Sequence, residues 1–215
     1  MTTIEFAHAL PPQIHKLLNG AIAPRPIAWV STIAEDGIPN LAPFSYFNIV
    51  SIKPAVLMFS AVNAPTQTSG IGRQKDTLQN IQTTKQCVIH LVPHALREEM
   101  NLTGVNWPAH ENEFDRAGLS TLPSLYVAPA RLADAPVAFE CELDQIVSWG
   151  NHPAAGNAIF CRIIAAHFAD GVLLEDDKVQ LQAVDPIARM GGRDYSRAAG
   201  GVFTLPLPEE LVAKP

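Results

Sequence analysis

The sequence predicts a mainly β fold: a closed or partly closed antiparallel barrel in one domain, with a few short helices. Two observations predict it. Short apolar and β-branched runs recur along the chain between turn residues, while a helical period appears in only three brief windows. The 18 prolines among 215 residues fall mostly between those runs, so the chain is cut into many short elements.

The elements follow in order. Ile27 to Ala34 is a first strand, closed by Glu35-Asp36-Gly37, and Asp-Gly between two apolar runs is a strong hairpin signal. The return strand, Ile38 to Ser45, carries Pro39 and Pro43, which places it on an edge or bends it out of the sheet. Ala55 to Val62 is a strand of the buried type. The period then changes: Asp76-Thr77-Leu78-Gln79 reads as a capping box opening a short helix with Leu78 and Ile81 on one face. Cys87 to Val92 returns to strand. Leu96 and Met100 share a face of a second helix, His94 to Thr103, with Gly104 at its end. A third helix, Glu111 to Ala117, stops at Gly118. In the strand Val137 to Val147, the residues Val137, Phe139, Cys141 and Leu143 alternate with Ala138, Glu140, Glu142 and Asp144, which predicts one wet face. Asn157 to Phe168 is a further strand, followed by an Asp-Gly turn and the short run Val172 to Leu174.

Composition narrows the function classes. The chain is 47% hydrophobic and 17% charged, which argues for a packed core and against disorder. A net charge of −6 and a pI of about 5.6 disfavour a nucleic-acid binder. No apolar stretch approaches the roughly 18 residues that suggest a membrane span. The opening MTTIEFAHALPPQ lacks the basic and apolar regions of a secretory signal, so a cytoplasmic protein is expected. Cys87, Cys141 and Cys161 sit in strand-like runs without metal spacing and read as buried free thiols.

The segment Gly70-Ile71-Gly72-Arg73-Gln74-Lys75-Asp76-Thr77 carries the best local site. Glycines admit close backbone approach, two cations sit within three positions, and a helix begins at once, which makes an anion seat. The residues alone read equally as a solvated loop entering a helix. This is neither a Walker loop nor a Rossmann fingerprint. No nucleophile elbow appears, and no His-Glu-x-x-His motif. His90 and His94 are four apart, but Pro93 breaks the helix that would align them on a metal, so none is expected. His152 and His167 read as strand ends rather than pocket groups. Glu140 and Glu142 read as solvated. An anion seat without acid–base machinery suits a protein whose cofactor performs the reaction.

"PRPIAWVST", "DG", "NLAPFSYFN" and "KDTLQNI", followed late in the chain by "ARMGGRDYS", resemble the flavin reductase-like family from about residue 17 to 195. The resemblance implies an FMN-binding split barrel, antiparallel and Greek-key-like, in a single domain over residues 1–215. It implies that Ser31, Thr32, Ala42, Pro43, Phe44, Ser45, Phe47 and Asn48 line the flavin. It matches Lys75, Asp76 and Thr77 to the phosphate side, in agreement with the anion seat to which Arg73 also belongs, and Arg189 and Tyr195 to a closing motif at the pocket or a neighbouring subunit. The implied activity is hydride transfer from NADH or NADPH to flavin, in a homodimer, with a partner monooxygenase among the acceptors. The alternative is an FMN-containing electron carrier without reductase activity of its own.

Overall fold

The computed structural model describes residues 1–66 and 70–208, so residues 67–69 and 209–215 of the expected domain lie outside the described residues. Seven strands form one antiparallel sheet in the order Pro39–Phe44, Ala28–Ile33, Gln86–Leu91, Val137–Ser148, Gly156–Phe168, Ala55–Val62 and Phe47–Ile52. The two proline-bearing positions fall on an edge strand, where a missing amide breaks no ladder.

The two edge strands stand at opposite ends of that order, yet only Ser45 and Tyr46 separate them in the chain. The sheet therefore curls until its ends meet. At the meeting point the Ser60 amide donates to the Tyr46 carbonyl at 2.8 Å, and the Phe44 and Phe59 rings pack with centroids 5.0 Å apart.

Inside the curl lie Val30, Leu57, Phe59, Ile89, Cys141 and Ile159, and the helix Asp76–Thr84 adds Leu78 and Ile81 to them. Each such side chain contributes about 1.5–3 kcal/mol by leaving water. The three thiols are free and buried there, with the sulfurs of Cys87 and Cys161 3.7 Å apart. Alternation sends Trp29 to the outer face, against Leu41, Met100, Phe114 and Ile187. Its indole N–H donates to Thr103 Oγ1 at 2.9 Å, which fastens the helix Arg97–Thr103 to the sheet.

The structure corrects four expectations. The seventh strand is Phe47–Ile52; the run Val172 to Leu174 forms only an isolated bridge, Leu173 to Val179. A helix at Pro11–Ala21 precedes the first strand, announced by Pro11 and Pro12, whose fixed φ suits a first turn. The capping box does not form. Lys75 is the N-cap with no side-chain cap, while Asp76 lies inside the helix, paired with Arg73 at 3.7 Å, and Gln79 donates to the Gln74 carbonyl. Finally, Glu140 is fully buried. The loop after residue 123 lies over that face of the sheet, and Glu140 accepts hydrogen bonds from the amides of Leu125 (2.8 Å) and Tyr126 (2.7 Å) and from His167 Nε2 (2.7 Å). Glu142 stays at the surface and pairs with Arg162.

Candidate functional site

A cleft of 520 Å³ opens over the corner where the sheet edges meet. Pro43, Phe44, Ser45 and Tyr46 come from the corner itself, and Ser60 and Val62 from the strand beside it. The N-terminal helix adds His15, Lys16 and Asn19; the hairpin of Ile187–Arg189 and Tyr195–Arg197 adds Arg189 and Tyr195. A smaller recess of 60 Å³ continues from it and is lined by Ala42, Arg73, Lys75, Asp76 and Thr77. Pro43, Phe44, Lys75 and Gly104 border both spaces.

The helix start at this recess is set by a buried polar relay. Thr77 Oγ1 donates to Asn40 Oδ1 at 2.8 Å, Asn80 Nδ2 donates to Thr32 Oγ1 at 3.0 Å, and Asn40 Nδ2 donates to Glu113 Oε1 at 2.9 Å. Glu113 also accepts from the Leu41 amide at 3.0 Å. Burial raises the Glu113 pKa above the ordinary carboxylate value, against the pull of those donors. The chain entering the helix is pinned as tightly. Gly72 donates its amide to Asn151 O at 2.7 Å, and a Cβ there would meet His152 O at 2.7 Å. This glycine serves a close approach within the protein.

Lys75 therefore stands on a fixed base, its ammonium donating to Asn106 Oδ1 at 2.7 Å. Its pKa is lowered, first by partial burial and then by the Arg73 guanidinium, with Asp76 opposing. Deeper in, Arg25 is buried between its two prolines. It donates to the carbonyls of Asn19 (2.8 Å), Ile22 and Met190 (3.1 Å), while its Nε finds no acceptor among the described residues. Among the described residues no Asp or Glu lines the larger of these two spaces, although the chain carries −6 overall; Lys16, Arg25, Lys75 and Arg189 do. The arrangement selects for an anion with an apolar or aromatic body.

Of the residues singled out in the sequence, Ala42, Pro43, Phe44, Ser45, Arg73, Lys75, Asp76, Thr77, Arg189 and Tyr195 meet around these connected spaces. Four stand apart. Ser31 and Thr32 are fully buried, and Thr32 belongs to the relay beneath the helix start. Phe47 packs on the barrel core, and Asn48 is exposed on the edge strand, accepting from the Ile49 amide. Sequence reasoning missed His15, Lys16, Asn19, Arg25 and Ser60. The first three lie on the unforeseen helix; an arginine held between two prolines ahead of an apolar strand was the available signal for Arg25.

The flavin reductase like domain matches residues 21–177 of this chain. The chain belongs to the flavin reductase-like family. A relative from Aquifex aeolicus, itself described only as an uncharacterized protein, is 39% identical over 87% of this chain and 91% of its own length. Among solved structures, nitrilotriacetate monooxygenase component B from Bacillus cereus is 29% identical and superposes with a TM-score of 0.87 over 95% of this chain and 98% of that one. The 2-nitrobenzoate 2-nitroreductase of Pseudomonas fluorescens is likewise 29% identical, with a TM-score of 0.83 over 95% and 96% of the two chains. This flavin reductase-like chain thus has the split barrel of its family, and the seam of that barrel is where its cationic cleft lies.

Proposed function

We propose that this flavin reductase-like protein is an FMN-dependent oxidoreductase that moves a hydride from NADH or NADPH to flavin, and that reduced flavin then serves a partner monooxygenase or another acceptor. The observation that carries this reading is the cleft itself: cation-lined in an acidic chain, with no carboxylate among its described lining residues and an aromatic and proline floor. The residues present fit FMN. Lys75, Arg73 and the uncapped start of the Asp76–Thr84 helix suit a phosphate dianion: Lys75 has only the neutral Asn106 amide for a partner, Arg73 only a long contact with Asp76, and the helix start has no side-chain cap. Pro43, Phe44 and Val62 offer apolar surface to a ring system, and the hydroxyls of Ser45 and Ser60 offer polar partners to its edge. Arg25 places a buried positive charge at the same wall.

Bound FMN would supply a hydride acceptor, ring nitrogen N5, for a reduced nicotinamide. The chain's own contribution is positional: the rigid corner fixes one face of the cleft, and the Arg189–Tyr195 hairpin bounds the side from which a second ligand enters. No side chain is assigned a proton transfer. The names of the two solved relatives, a monooxygenase component and a nitroreductase, support redox chemistry with varied acceptors. We also infer a homodimer, supported by the family resemblance and by the apolar edge strand, where Ile49 and Ile52 are 64% and 82% exposed. Light scattering on the FMN-loaded protein should give twice the chain mass.

The deciding experiment is a titration of purified protein with FMN, followed by NADH and NADPH oxidation under air. Flavin-type absorbance bound in a one-to-one ratio, with turnover, is the expected result. Bound colour without turnover would mean an electron carrier, and no binding would overturn the reading.

A further inference from the structure

A second cavity, of 650 Å³, opens beside the first and shares its wall: Met100, Asn101, Arg189 and Tyr195 border both. Its far side is made by the entry to the helix Arg97–Thr103, which supplies His94 and Arg97, and by the hairpin, which supplies Arg193 and Arg197. Glu98 is its only lining carboxylate, against four arginines.

Two of those arginines are neutralised inside the protein. Arg97 pairs with Glu98 at 2.8 Å, and Arg197 clamps Asp185 through two contacts of 2.6 and 2.7 Å. Arg189 stacks over the Tyr195 ring, 4.5 Å from its centroid, and donates to the Tyr195 hydroxyl and the Gly192 carbonyl, all uncharged partners. Arg193 is exposed at the rim of this cavity and has neither ion pair nor hydrogen bond among the described residues. Its base is nevertheless fixed. The Met190 amide donates to Asp194 O at 3.0 Å, Gly192 turns the chain with φ +62°, and Gly191 packs so closely that a Cβ would lie 3.2 Å from Gly20 Cα. A side chain without a partner on an anchored turn is poised for something outside the chain.

We propose that this cavity holds the adenosine end of the nicotinamide co-substrate and that Arg193 selects NADPH over NADH by meeting the 2′-phosphate. The inference rests on the reductase reading above. A dinucleotide whose nicotinamide reaches the flavin cleft across the shared wall finds room for its other half in the adjoining cavity. Arg189, at the wall, is placed for the pyrophosphate. One uncompensated guanidinium then remains, and NADH brings no anion for it. A 2′-phosphate brings a second dense charge and three acceptors matched to a planar fork.

The test uses probes that lack nicotinamide, so binding is read without turnover. Adenosine 2′,5′-bisphosphate, 5′-AMP and inorganic phosphate are titrated calorimetrically into the FMN-supplemented wild type, Arg193→Ala and Arg193→Lys. The bisphosphate should bind wild type about tenfold more tightly than AMP, the difference expected of one charge-assisted contact. That gap should close in Arg193→Ala and partly return in Arg193→Lys. In turnover, KM for NADPH should rise about tenfold in the alanine variant, with KM for NADH moving far less. Equal affinity of wild type for bisphosphate and AMP would overturn the proposal, as would an equal loss for both in the variant, or phosphate binding as tightly as the bisphosphate. Failure of the FMN reading shows separately, as no flavin binding with the adenosine gap intact.

Discussion

Two charged regions of this molecule are built on opposite plans. Around Glu140, on the covered side of the sheet, one carboxylate meets two backbone amides and His167, with Arg131 at 4.0 Å, and no water reaches it. At the seam, partial burial and the Arg73 guanidinium lower the Lys75 pKa, and Arg25 has carbonyls and the Tyr46 ring but no carboxylate for partners among the described residues. The first region is satisfied from within and locks a loop. The second keeps its cations without a close carboxylate at Lys75 and Arg25, which is the arrangement the proposed anion would complete. Satisfaction of charge, more than its amount, separates what serves the fold from what serves the ligand.

The largest effect should come from breaking the satisfied region. Glu140→Ala strands two amides and a histidine, and should lower unfolding free energy by about 3–5 kcal/mol in a denaturant titration. FMN affinity measured on the folded fraction should hold. Burial opposes ionisation of Glu140, but its three donors outweigh it and keep its pKa below the ordinary glutamate value of 4.5. The unfolded chain therefore takes up this proton first. The carboxylate's contribution should be whole above pH 4.5 and drain away as pH falls below it, a slope that Glu140→Gln should lack.

Next comes the incomplete region. Lys75→Ala should weaken FMN on the order of tenfold to a hundredfold, the loss of about 1.5–3 kcal/mol from one charge-assisted contact, while riboflavin, which lacks the phosphate, should bind as before. Equal loss for both flavins would place Lys75 on the ring. Arg73 is more exposed and already shared with Asp76, so Arg73→Ala should cost FMN affinity only about two- to fivefold. Its removal should also let the Lys75 pKa rise, a change NMR titration can follow. The smallest effect should be at Arg162→Ala, which breaks the surface pair with Glu142 two positions from Glu140; stability should move by less than about 0.5 kcal/mol.

Much of this was legible in the chain. The Asp-Gly turn, the two edge prolines and the apolar runs gave the strands, because those signals are local. The cations at 73 and 75 ahead of a helix pointed to the recess that they line. Glu140 was misread because alternation tells which residues share a face, and a loop distant in sequence decides whether that face is wet. Thr32 illustrates the same limit: its hydroxyl lies next to the site in sequence pattern but beneath it in space, bound to Asn40. The N-terminal helix was legible but passed over: Ile14, Leu17, Leu18 and Ala21 recur at helical spacing behind two opening prolines.

The two-residue link between the edge strands also acts as a gauge. Pro43 and Phe44 stand on one side of the seam and Ser60 and Val62 on the other, so Ser45 and Tyr46 are the spacer that sets how far apart the walls stand. Extended chain advances about 3.3 Å per residue, close to the thickness of one aromatic ring. The width of the slot is thus written into chain length as well as into the Tyr46–Ser60 hydrogen bond and the Phe44–Phe59 packing: a residue inserted at this corner should re-bore the cleft, and a deletion should narrow it.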